Sequence, residues 1–276
     1  MNLDALPHAI LLILAEFSVG SLIVVLIADA RGMVPSSYVK LSAGVIASAA
    51  LLMLLSAFNT SGADLGGYRL VDGLFGPIRG IAAAFLAISI VYALLAFAEQ
   101  RELSLRIGTV GAIVGVVGVG ILAYQVSPPT WGFAGALLSL LVGMLALGFV
   151  SQAMILGHWY LVSTKLSGQP LVELTFMLSI VMVVQAMLLI VNAAVPVREV
   201  PESTALFAGS LGSNPAFWLR VGVGLLFPLV LSFMAWRSSA EHSMMSATGL
   251  LYIAVGAVFV GEVLARGLLF VTGAPV

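Results

Sequence analysis

Two charged residues one helical turn apart stand inside an apolar segment. Glu262 and Arg266 lie in VGEVLARGLLFVTG (260–273). Charge in hydrocarbon costs several kcal/mol per group unless it is paired or hydrated. A spacing of four puts both side chains on one helix face, where they can pair. Two further ionisable residues sit in comparable surroundings, Glu16 in ILLILAEFSVGSLIVVLIAD and Arg220 in AFWLRVGVGLLF. Two acids and two bases balance, which is what buried charges need in order to stay ionised. This chemistry suits a polar pocket for a small amphipathic ligand such as a quinone, with hydrogen bonds to its carbonyls and a carboxylate to take its proton. The alternative is a set of interhelical salt bridges that fix the register of a bundle. For Glu262 and Arg266 taken alone, mutual neutralisation is the simpler reading. Glu16 has no base on its own segment and lies deep, which favours a functional role.

A second polar group comprises Ser151, Gln152, Met154 and His158, with Glu173 at the start of the next segment. Ser151, Met154 and His158 share one helix face by their spacing. His158 has the chemistry for haem ligation, proton relay or quinone contact. The other histidines, His8 and His242, are not placed deep in a facing helix, so haem b is disfavoured. The remaining reading of the run GHWYLV is an interfacial aromatic anchor. No residue set has the spacing of a metal site. Walker loops, nucleophile elbows and HExxH are absent.

The elements that must hold these residues are membrane helices. Apolar residues make up 61% of the chain and charged residues 8%, against about 25% charged in soluble domains. Mean hydropathy is +1.17. A span needs about 20 apolar residues, and eight segments qualify, at 8–28, 39–58, 79–98, 107–126, 133–162, 171–196, 216–236 and 246–270. The expected architecture is an all-α polytopic bundle in a lipid bilayer, one domain over 1–276, without a convincing internal repeat. Pro228 is expected to do no more than kink the seventh span. The start, MNLDALPHA, lacks the basic region of a removable signal, so the first span is expected to stay. Absence of cysteine removes disulfides, thiolate zinc and iron–sulfur ligation within this chain. A net charge of -1 without a basic tract excludes nucleic acid as a partner.

Lys and Arg in the loops set orientation. Arg31, Lys40, Arg101, Arg106, Lys165 and Arg237 fall on one side, and Arg69, Arg79 and Arg198 on the other. The richer set is expected inside, with both termini outside and the long loops 59–77 and 197–214 also outside. Glu16, about 12–14 Å along its span at 1.5 Å per residue, then shares the outer half with Arg220, Glu262 and Arg266. Gly108, Gly111, Gly115 and Gly118 form one stripe on the fourth span and read as helix packing.

These residues carry a family resemblance. GEVLARGLLF (261–270) resembles the terminal helix of the membrane-anchor subunits of dimethyl-sulfoxide-reductase and polysulfide-reductase-type molybdenum oxidoreductases, in its order of acid, small residue, Arg and aromatic. The first span looks like their first helix. AFWLRVGVGLLF looks like the start of another, and DLGGYRLVDG (64–73) is similar to their outer loop, with Asp64 where that family has His. The run GHWYLV is not part of the family pattern. The resemblance implies a quinone-binding anchor of the inner membrane without a redox centre of its own, served by menaquinone or ubiquinone. It also implies a peripheral iron–sulfur subunit and a molybdopterin catalytic subunit as partners, and it adds Arg69 to the expected quinone-site residues Glu16, Arg220, Glu262 and Arg266. Two other functions remain open on the residues alone. One is a proton- or cation-coupled transporter using Glu16 and Glu262. The other is a haem b protein centred on His158.

Overall fold

The computed structural model of the chain describes residues 5–62, 64, 65, 68–127, 132–162, 166–194 and 211–276. Lys165, Arg198 and most of the loop 197–214 lie outside them. Without water to bond to, an apolar segment must satisfy its backbone internally, and a helix is how a single segment does so. The helices are α1 (Leu6–Ala30), α2 (Ser36–Asn59), α3 (Phe75–Phe97), α4 (Arg101–Gln125), α5 (Gly132–Val162), α6 (Gln169–Ala194), α7 (Pro215–Val221), α8 (Phe227–Ala240) and α9 (Met244–Thr272). A π-helical turn, Gly222–Leu226, joins α7 to α8, so these two make one crossing. Among the described residues, eight crossings are long and apolar enough for a membrane. The chain is an all-α polytopic bundle, as its composition requires.

The helices close into two rings of four. In the first, α1 packs on α2, α2 on α3, α3 on α4, and α4 back on α1. In the second, α5 packs on α6, α6 on α8, α8 on α9, and α9 back on α5. The sequence shows no repeat, yet the packing order repeats. The rings join mainly through α1 and α5. That contact is backbone-close. A Cβ added to Gly20 would lie 1.9 Å from the Met144 carbonyl oxygen, and one added to Gly148 would lie 2.4 Å from the Gly20 carbonyl carbon. Only residues without a side chain allow this approach. The expected α4 stripe serves the same end within the first ring, since a Cβ on Gly108 or Gly115 would strike Leu26 or Val19 of α1.

The peripheral helices turn large apolar side chains outward. Leu94, Ile113, Met187 and Phe233 are all more than half exposed. In water that surface would aggregate; against lipid it is the favourable side.

Connections are pinned by polar contacts at the helix ends. Between α2 and α3, β1 (Asp64–Leu65) and β2 (Tyr68–Arg69) pair antiparallel, with Asp64 opposite Arg69. The Tyr68 hydroxyl donates to the Val126 carbonyl at 2.6 Å, which ties this hairpin to the end of α4. Arg79 donates to the carbonyls of Ala57 and Thr60 at 3.1 and 2.9 Å. It thus caps the end of α2, where carbonyls lack helical partners. Gly273 closes α9 in the left-handed region at φ 70°, where its N–H reaches the Leu269 carbonyl.

Candidate functional site

Glu16, Arg220, Glu262 and Arg266 meet in one buried cluster. None is more than 1% exposed. Glu16 stands ten residues into α1, about 15 Å from its start. Arg220 lies in α7, near the start of its crossing, and Glu262 lies ten residues before the end of α9. The cluster therefore occupies one half of the bundle's height, toward the end where α1, α5 and α7 begin and α9 finishes.

Arg266 is the centre. It holds Glu16 with two nitrogens, Nη2 to Oε1 at 2.7 Å and Nε to Oε2 at 3.2 Å. The same Nη2 reaches Glu262 Oε2 at 2.9 Å. Its Nη1 donates to the Ser139 hydroxyl on α5 at 2.9 Å. One guanidinium thus joins the first ring, through α1, to two helices of the second. A planar fork with several donors suits this bridging role better than a point charge.

Arg220 is the outer member. Its Nη2 lies 3.5 Å from Glu262 Oε1, the longest contact of the set. Its Nη1 donates to the Gly224 carbonyl at 2.9 Å. The sequence explains that bond. Pro228 stands four residues after Gly224 and has no N–H to return to that carbonyl. The freed acceptor falls in the π-helical turn and is satisfied by the guanidinium. Pro228 therefore does more than bend the span. Close packing brings the turn to α9, since a Cβ on Gly224 would lie 2.4 Å from Gly261 Cα. Gly261 immediately precedes Glu262.

Three contributors escaped the sequence reading. Ser139 receives Arg266. Gln185 of α6 donates its amide to Glu262 Oε1. Gly143 leaves the space the cluster fills, because a Cβ there would stand 2.6 Å from Glu262 Oε2, 2.7 Å from Arg266 Nη2 and 2.8 Å from Glu16 Oε1. The two polar ones had a signal, since each is a hydrogen-bonding side chain inside an apolar span, and the glycine had none of its own. Gln185 is an amide deep in an apolar span, and Ser139 is a hydroxyl in the apolar run of α5.

Arg69 does not join the cluster. It is exposed on the hairpin, across from Asp64. The second expected group does not assemble either. Gln152 is buried and accepts from the Ser42 hydroxyl of α2 at 2.7 Å. His158 is exposed on the bundle surface, with Nδ1 2.9 Å from the Tyr252 hydroxyl of α9. Glu173 pairs with Arg31 of the α1–α2 turn. A shared face along α5 did not make a shared site, because that face turns from the interior at Ser151 to the surface at His158.

Beside the charged cluster, α1 and α9 enclose an apolar groove of about 60 Å³. Ala9, Ile10 and Ile13 line it from α1, and Val263, Gly267 and Phe270 from α9. Ile13 precedes Glu16 by one turn, and Val263 and Gly267 follow Glu262 and Arg266 directly. Ile10 and Val263 are 43% and 44% exposed, so the groove faces outward from the bundle.

No protein-family model, no curated protein and no solved structure matches the chain.

Proposed function

We propose that the chain is the quinone-binding membrane subunit of a multi-subunit redox complex. The observation that carries this reading is a charge-balanced, buried cluster on the same two helices as an outward-facing apolar groove, whose lining residues Ile13, Val263 and Gly267 lie within one turn of Glu16, Glu262 and Arg266 along the chain. An amphipathic quinone needs both parts, an apolar track for its tail and fixed polar groups for its head. The groove encloses too little space for a six-membered ring as it stands. Access for the headgroup is by displacement of Ile13 and Val263 toward lipid.

In this reading a quinol bound there gives up two protons and two electrons. Glu16 accepts the protons one after the other, passing the first on to the outer side before it takes the second, and Arg266 and Arg220 orient the ring oxygens. The electrons leave to a peripheral iron–sulfur subunit, which exchanges them with a molybdopterin catalytic subunit. The cluster starts neutral, so a proton on Glu16 leaves one excess positive charge in a low-dielectric interior. That charge disfavours long residence and drives the proton onward. The loop charges support an orientation with the cluster in the outer half and both termini outside, and the reading places that bundle in the inner membrane. In this orientation the exposed Arg69 lies on the outer side, where the reading has the partner dock.

Cation transport is the weaker reading. Glu16 and Glu262 each already face a guanidinium, so an entering cation meets no uncompensated negative charge.

Photoaffinity labelling tests the proposal. An azido-quinone added to the purified chain should label α1 and α9 around Ile13 and Val263, and excess unlabelled quinone should suppress it. Labelling spread evenly over lipid-facing residues such as Ile113 and Met187 would remove the quinone site.

A further inference from the structure

At the opposite end of the first ring lies a second, larger cavity, of about 320 Å³. That is on the order of ten water volumes at about 30 Å³ each. It sits among the end of α1, the start of α2, the end of α3 and the start of α4. Asp29, Ser36, Glu99, Arg101 and Ser104 supply its polar lining. Its charges come in two crossed pairs. Arg101 Nε donates to Asp29 Oδ1 at 2.9 Å, and Lys40 Nζ meets Glu99 Oε1 at 2.7 Å.

Two features bear on what this cavity can hold. First, Glu99 adopts φ 60°, a left-handed conformation that costs a side chain with a Cβ and that glycine would take freely. A carboxylate is kept there at the expense of the backbone. Second, Arg101 commits Nε and Nη2 to Asp29, which among the described contacts leaves Nη1 as a donor. Its guanidinium lies over Gly32, 3.4 Å from where a Cβ would be.

We infer that this cavity binds a zwitterionic phosphate–ammonium headgroup, with the phosphate on Arg101 and the ammonium on Glu99. Each group is already paired, but among the described contacts Glu99 keeps Oε2 and Arg101 keeps Nη1, so a molecule carrying both charges finds one free atom for each and leaves the site neutral, as a simple anion or cation would not. Phosphate takes the fork of an Arg well. A primary ammonium hydrogen-bonds a carboxylate, whereas a trimethylated one cannot donate. Leu94 and Phe97 at the end of α3, Leu41 beside Lys40 and Leu103 near Arg101 are all exposed. These side chains give the tails of a lipid-borne headgroup an apolar surface beside the charges, so phosphatidylethanolamine is the favoured source. This inference is independent of the quinone reading, because it concerns the other end of the bundle and different residues.

Native mass spectrometry of the full chain from nanodiscs holding equal parts phosphatidylethanolamine, phosphatidylcholine and phosphatidylglycerol tests it. One phosphatidylethanolamine should survive detergent exchange, at least fivefold over either competitor. Glu99→Gln should abolish the preference over phosphatidylcholine, and Arg101→Gln should lower retention of all three. Glu102→Gln should change nothing, since Glu102 is exposed and pairs only with Arg106. The wild-type preference needs no variant to fold. Displacement by millimolar free phosphoethanolamine would keep the site and assign it a soluble ligand. Equal retention of the three lipids, or an equal effect of Glu102→Gln, would overturn the inference.

Discussion

Arg266 holds Glu16 from 250 residues away in sequence, through two nitrogens at 2.7 and 3.2 Å. The contact is a buried charged link between the two four-helix rings, which also meet where glycine packs against backbone. Removing the base alone strands two carboxylates beside Arg220. Leaving an uncompensated buried charge costs about 3–5 kcal/mol. Arg266→Gln is therefore expected to lower thermal stability in detergent sharply. Adding Glu16→Gln restores neutrality through the remaining Arg220–Glu262 pair. The double variant should melt above Arg266→Gln alone; if it melts at or below it, charge balance is not what holds the joint.

Gly143 sets the size of the cluster. A methyl group there would overlap three charged atoms inside 3.0 Å. Overpacking a filled interior costs about 1–3 kcal/mol. Alanine is otherwise the better helix residue by about 1 kcal/mol, so a gain in stability from Gly143→Ala would contradict the geometry. The expected result is a lower melting temperature and, in the quinone reading, weaker quinone labelling. Gly44 and Gly256, with nothing within 4 Å of an added Cβ, are the controls that should tolerate alanine.

How much of this was legible in the sequence follows from what each residue type reports. Hydrophobic length located every crossing, because a membrane leaves the backbone no alternative. The four charged members of the cluster were legible, since charge in an apolar span is expensive and therefore conspicuous. Gly143 was not, because a glycine that makes room for a distant side chain looks like any packing glycine. The group at Gln152, His158 and Glu173 did not assemble because periodicity gives a face and not its neighbour. Three different helices and turns stand opposite those residues. Pairing of the helices into two rings had no signal in the sequence, since any apolar helix can pack on any other.

Pro228 and Arg220 are coupled through the Gly224 carbonyl. Pro228→Ala returns an N–H that competes for that carbonyl and favours a regular helix. Arg220 then loses a charge-assisted hydrogen bond, worth about 1.5–3 kcal/mol. The offsetting helical bond keeps the net stability change small. Amide hydrogen exchange should slow around 222–228 while any quinone-linked activity falls. Unchanged exchange would mean that the π-helical turn does not depend on the proline.

The Lys40–Glu99 contact predicts a pH dependence at the cavity end. Lys40 beside Glu99 holds that carboxyl below the usual glutamate range, mainly through their hydrogen bond. A depressed folded-state pKa contributes only above the unfolded value, and the contribution is lost as pH falls through the lowered one. Phosphatidylethanolamine retention should hold at neutral pH and fall as Glu99 protonates in acid. In Glu99→Gln it should be flat over the same range.

Glu16→Gln separates structure from chemistry. The amide oxygen still accepts from Arg266, but the cluster gains one excess positive charge, so the melting temperature should fall while the fold survives. What disappears is the proton acceptor. General-base contributions are typically 10²–10⁴-fold, so quinol-linked electron transfer in the intact complex should fall by about that range. Quinone labelling at Ile13 and Val263 should persist, because the apolar groove and both arginines remain. Glu262→Gln provides the contrast. It sits between Arg220 and Arg266, so its loss removes the shared counter-charge of two guanidiniums and should act first on stability. If both variants slow turnover only in proportion to their lost folded fraction, the cluster is a structural joint and Glu16 carries no proton.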